Sequence, residues 1–186
     1  MQNKHYLLSG PQLLRALAGG LTAGLITLLM ISCKKDDTVA EQDAIDRSST
    51  GLSSATITEL KTARTATEKY RTLSAAIADG YADINVVQQN MGFHMLKASL
   101  LDTVFNPATP EILVYNKQHD GSIQLVAVEY AVPIPLTPNK APEGFTGSSD
   151  AWSYSTVFNL WLLHSWVWEF NPQGIFNPTN PLVHLH

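Results

Sequence analysis

Phe158-Asn-Leu-Trp-Leu-Leu-His-Ser-Trp-Val-Trp-Glu-Phe170 is the stretch whose reading decides the fold. Its apolar run is nearly continuous, so periodicity alone permits either a buried helix or a strand. Aromatic and aliphatic residues on both faces match a central strand covered on each side. Read as a strand, it alternates faces, and His164 lies with Leu160, Leu162, Trp166 and Trp168.

The sequence just upstream favours the strand. Glu111-Ile-Leu-Val-Tyr115 is a short β pattern, and Lys117-Gln-His-Asp-Gly121 is turn chemistry. Ser122 to Val132 makes a second strand, so 111–132 reads as a β-hairpin. Residues 133–150 hold Pro133, Pro135, Pro138, Pro142 and two glycines, which is loop composition. After Phe170 the pair Asn-Pro recurs at 171–172, 177–178 and 180–181, giving turns.

Ahead of the strands the spacing predicts a helix. Thr56-Ile57-Thr58-Glu59 has capping-box spacing, Ile57, Leu60, Tyr70, Leu73 and Ile77 fall near one stripe, and Gly80 supplies a stop. The expected element is one amphipathic helix of roughly 24 residues. The expected class is therefore α+β, one long N-terminal helix packed on a mainly antiparallel sheet built from 111–116, 122–132 and 158–169.

The N-terminus speaks to location. Lys4 and Arg15 precede the apolar stretch Leu21 to Ile31, and Met30-Ile31-Ser32 leads into Cys33, the only cysteine. A basic region, an apolar region and a small residue before a cut site are the parts of a secretory signal. The segment resembles a bacterial lipoprotein signal, which implies an acylated Cys33 as mature N-terminus and the lipid bilayer as partner. The alternative is a plain apolar anchor, for which the run is slightly short. The organisation expected is a signal peptide at 1–32, a flexible polar tether at 33–53 and one domain at 54–186. The place expected is the cell envelope, as an outer-membrane lipoprotein facing the periplasm or the cell surface. Lys34-Lys35-Asp36-Asp37 also resembles a surface-export signal, though a solvated tether reads the same way.

Composition narrows the function. Without residues 1–32 the chain has 154 residues, and its formal charge moves from −4 to −6. No block of basic residues is present, so nucleic acid is a poor partner. An acylated Cys33 leaves no thiol for a disulfide, a Cys-ligated zinc or a nucleophile. No Gly-x-Ser-x-Gly, Walker loop or Gly-x-Gly-x-x-Gly occurs.

Three titratable residues sit in apolar segments: His94 in Met91-Gly-Phe-His-Met-Leu96, Glu129 in Leu125-Val-Ala-Val-Glu-Tyr130, and His164. Burying a lone carboxylate costs several kcal/mol, so Glu129 needs a cation, donors or a proton. Two imidazoles from neighbouring strands are the obvious partners, and convergence of the three is expected. Two His and one carboxylate are also a ligand set for a divalent metal ion, zinc or iron. The same residues would serve equally as a hydrogen-bonded core network. Glu111, Tyr130, Trp166 and Trp168 are candidates for lining a ligand pocket beside them, while His119, His184 and His186 are weaker candidates at a turn and at the terminus.

From Gly92 onward the chain resembles a group of small secreted bacterial proteins of uncharacterised function. The shared motifs are Gly92-Phe93-His94, Pro110-Glu111-Ile-Leu113-Val-Tyr115, Val128-Glu129-Tyr130, His164-Ser-Trp166-Val-Trp168 and Asn171-Pro-Gln-Gly174-Ile-Phe176. They span about residues 68–183. The resemblance implies one cysteine before the Gly-aromatic-His segment and another near the C-terminus; this chain has neither, with Val86-Val87 and His184 nearby, so the disulfide implied for the group is not available here. The functional expectation is an exported binding domain for a small-molecule ligand or metal. The alternatives are a metal-dependent enzyme with open sites for water and substrate, or a structural module that binds an envelope protein.

Overall fold

The computed structural model describes residues 44–186, so Cys33, the signal segment 1–32 and the first part of the tether lie outside the described residues. The packed chain begins ahead of residue 54. Residues 44–48 form a helical turn whose Ala44 and Ile45 are buried.

The long helix is not there. Helix α1 covers Ser54–Thr67, a single 3₁₀ turn follows at Glu68–Arg71, and after an extended Thr72 the short helix α2 covers Leu73–Ala78. Thr67 accounts for the break. Its hydroxyl donates back to the carbonyls of Ala63 (2.7 Å) and Arg64 (3.2 Å), a bond that bends helices, and it accepts the indole N–H of Trp168 at 3.0 Å. The helix also starts earlier than its capping-box spacing implied. Ser53 is extended and its Oγ accepts from the Thr56 N–H at 3.1 Å, while Glu59 instead accepts from the backbone N–H (2.7 Å) and hydroxyl (2.6 Å) of Thr146. The stop at Gly80 is real: with φ +94 it lets Tyr81 N–H reach Ala76 O (3.0 Å) and its own N–H reach Ile77 O (3.0 Å), a Schellman closure.

The body of the protein is one antiparallel sheet in the order β1-β2-β3-β4-β6-β5, curled into a half-barrel. The strands are β1 Ala82–Gln88, β2 Gly92–Leu96, β3 Ile112–Lys117, β4 Ile123–Pro133, β5 Ser153–Ser155 and β6 Leu160–Ser165. The α+β class is thereby corrected to a mainly β architecture with short helices. Among the described residues no helix is long and apolar enough to cross a membrane.

Register decides which side chains meet. Glu129 pairs with His164 across β4–β6 and with Ile112 across β3–β4, while His94 pairs with Val114 across β2–β3. Partners in an antiparallel ladder share a face, so His94, Ile112, Glu129 and His164 all project to one side. An extra residue in β4 opposite Val114 and Tyr115 flips the strand below Ala127. Leu125 therefore pairs with Tyr115 and leaves the face of Glu129, contrary to simple alternation. Tyr115 belongs to the other, helix-covered face: its ring stacks on Phe93 at 5.5 Å and its hydroxyl donates to Tyr70 O at 2.6 Å. Leu113, Val128, Tyr130 and Leu163 fill the core on that side.

Gly92 opens β2 at φ +106, and a Cβ there would lie 2.2 Å from Tyr115 O. Only glycine lets β2 approach β3 at this point, two residues before His94.

Candidate metal centre

His94, Glu129 and His164 converge from β2, β4 and β6, and all three are buried, with 3%, 2% and 4% of their surface exposed. Two strand spacings separate β2 from β4, about 9.5 Å in a flat sheet. The His94 and Glu129 side chains nevertheless close to 3.7 Å in this curled sheet.

The polar contacts are few and specific. His94 Nδ1 lies 3.0 Å from Val86 O, and a carbonyl can only accept, so Nδ1 carries the hydrogen. In the neutral ring, Nε2 is then a bare lone pair, and it faces Glu129 Oε2 at 3.7 Å. His164 Nδ1 sits 3.0 Å from Glu129 Oε1, a distance for an N–H donor to a carboxylate. Its Nε2 is buried with no hydrogen-bond partner among the described residues. The two imidazoles stand edge to face at 5.9 Å, and the His164 ring lies parallel to Trp166 at 5.8 Å.

Electrostatics reinforce this picture. Burial pushes the Glu129 carboxyl up, but the pull of His164 and then His94 outweighs it, and the group is held below the ordinary carboxylate range. Burial pushes His94 down, against the raising influence of Glu129, so its neutral form is favoured. An ionised carboxylate and a neutral imidazole lone pair thus point at one another without a hydrogen between them. One ligand atom from each residue lies within 4.8 Å of the others, and this buried group can hold a metal ion.

A cavity of about 50 Å³ opens against the centre. His94 and Glu129 form its polar wall, and Ile84, Val86, Met91, Leu96, Ile112, Leu160 and Leu162 form the rest, with Gln88 and Phe158. These are not the walls expected from sequence. Glu111 precedes Ile112 and so points to the other face, where Oε2 accepts the Ala131 N–H at 3.0 Å. Burial raises its carboxyl to about 7. Tyr130 likewise follows Glu129 onto the far face, donates to Pro107 O at 3.0 Å and packs on Phe105 at 4.6 Å.

The tryptophans divide. β6 ends at Ser165, whose carbonyl accepts from Val167 N–H at 3.0 Å, so alternation does not run on to Trp168. Trp168 packs under the Arg64 guanidinium, 4.4 Å from its ring, and lines a different cavity, with Glu68, Arg71 and Leu125. Trp166 alone stays with the site, stacked on His164 and tied by its N–H to Asn177 O at 2.6 Å.

The chain matches no protein-family model, no curated protein and no solved structure. The site must be read from its own chemistry.

Alternation along β6 already placed Leu160 and Leu162 beside His164. Ile84, Val86 and Gln88 were missed because β1 is irregular. Its register shifts between Asp83 and Val87, and Asn85 has φ +56, which blurs the period-two signal. His119 and His186 stack at 4.2 Å, with His184 at 6.3 Å from His186, as a separate surface group.

Proposed function

We propose that the protein is an exported, lipid-anchored domain that holds one divalent transition-metal ion on His94, Glu129 and His164. The observation that carries this reading is the lone pair of His94 Nε2 set 3.7 Å from Glu129 Oε2 in a dry site. A cation between the two satisfies both; without one they repel. Zinc takes two imidazoles and one carboxylate with a position left open, and ferrous iron takes the same set with more positions open. The lipoprotein-like segment ending at Cys33 and the motif resemblance to secreted bacterial proteins support envelope placement.

A second reading has one specific observation in its favour. The His164 Nδ1 contact to Glu129 Oε1 at 3.0 Å is already a complete hydrogen bond, as a core network requires. That reading leaves His164 Nε2 buried without a hydrogen-bond partner among the described residues and His94 Nε2 facing the carboxylate at 3.7 Å, which is why the metal reading is preferred. The test is elemental analysis of full-length protein purified without chelators, repeated on His94→Ala. One equivalent of zinc or iron in the parent, absent from the variant, is the expected result. No metal in either, with a large loss of stability in the variant, assigns the residues to the core network.

A further inference from the structure

We infer that the open side of this centre receives a short-chain monocarboxylate, with its anionic head on the metal and an apolar tail of about three or four carbons in the adjoining cavity. The inference rests on the metal reading above and adds a ligand class to it. Its first support is direction. Of the three ligating residues, His94 and Glu129 line the cavity and His164 does not, so the coordination positions left open face the cavity.

The second support is the character of the walls. Ile84, Leu96, Ile112, Leu160 and Leu162 are aliphatic, and Gln88 is the one polar side chain beyond the ligands. A sugar or a phosphate ester would bury several hydroxyl or phosphoryl oxygens with a single side-chain partner, each left unpaired at substantial cost. An unbranched alkyl tail meets no such penalty. Size gives the third support. A water-sized atom needs about 10–15 Å³ of such space, so about 50 Å³ admits three or four. Charge gives the fourth, because a divalent ion with one carboxylate keeps one positive charge, which an anionic oxygen donor neutralises where water is scarce.

The experiment uses the full chain, stripped with chelator and reloaded with Co(II), whose visible absorption reports its ligands. Sodium acetate, propionate, butyrate, hexanoate and decanoate are titrated in turn. Affinity should rise about fourfold per methylene from acetate to butyrate, then level or fall at hexanoate and decanoate. Leu160→Ala, a change in a partly exposed wall residue, should move the plateau to longer chains. Equal affinity along the series, or a rise that continues through decanoate, overturns the inference and leaves the metal reading intact. Failure of the protein to take up Co(II) overturns both.

Discussion

Replacing Glu129 by Gln separates a metal ligand from a structural carboxylate, because the two roles predict different costs. In metal-free protein the amide oxygen still accepts from His164 Nδ1, now as a neutral hydrogen bond, at a loss of roughly 1 kcal/mol relative to the charge-assisted one. The amide N–H₂ turns toward His94 Nε2, whose lone pair accepts it, at a gain of about 1 kcal/mol. The charge of a carboxylate with 2% exposure also disappears, and with it both its desolvation cost and the attraction of His164 and His94 that outweighs that cost. The net is a chelated variant close to the parent in stability or slightly below it, with Tm unchanged or down by about 2–4 °C per kcal/mol lost. Metal widens the gap. At a thousandfold excess over Kd the parent gains about 4 kcal/mol from linkage, and the variant, short of its only anionic ligand, gains little. Thermal unfolding of both proteins, with chelator and with zinc, measures all four states. If Glu129→Gln loses 3 kcal/mol or more in chelator, the carboxylate is a necessary half of a buried pair, and the reasoning here is refuted.

Three further outcomes are expected. Glu111, raised to about 7 from an ordinary 4.5, favours the folded state when protonated; that contribution is complete below about pH 4.5 and is lost as pH rises through 7. Glu111→Gln keeps an acceptor for the Ala131 N–H, so it should match the parent at pH 4 and exceed it by up to ~3 kcal/mol at pH 9 in urea unfolding; equal stability at both pH values would show that the carboxyl is solvated. Gly92→Ala forces a Cβ to within 2.2 Å of Tyr115 O at a left-handed φ, and should cost on the order of 3 kcal/mol or more by denaturant midpoint, with metal uptake weakened through His94. Cys33→Ser should release the protein from the membrane fraction with its circular dichroism unchanged, and continued membrane retention of the variant would remove the lipoprotein reading.

The legible parts of this chain were those in which local chemistry agrees with the fold. The hairpin Ile112–Lys117 and Ile123–Pro133 announces itself by its apolar β-type runs and by the turn chemistry ending at Gly121, and the strand nature of Leu160–Ser165 follows from its two apolar faces. Convergence of His94, Glu129 and His164 was legible from energetics alone, since no strand rich in valine buries a carboxylate without partners. What was lost depended on distant contacts. The helix breaks because Thr67 bends the backbone and holds the Trp168 indole, a bond between residues 101 apart. Leu125 changes face because of one extra residue in β4, and Trp168 leaves the site because β6 stops at Ser165. Glu111 looked like a pocket residue, yet parity with Ile112 turns it to the opposite side of the sheet. A single flipped parity is enough to exchange pocket for core, and no periodicity upstream reveals it.

The central claim is tested most directly by X-ray absorption at the metal edge of the zinc- or iron-loaded protein. The account predicts a first shell of two imidazole nitrogens and at least one carboxylate oxygen at about 2.0–2.2 Å, with the outer-shell scattering of two histidine rings. His164→Ala should reduce that to one ring. A shell of oxygen alone, or a two-histidine pattern that survives in both His94→Ala and His164→Ala, would place the metal elsewhere and contradict the assignment.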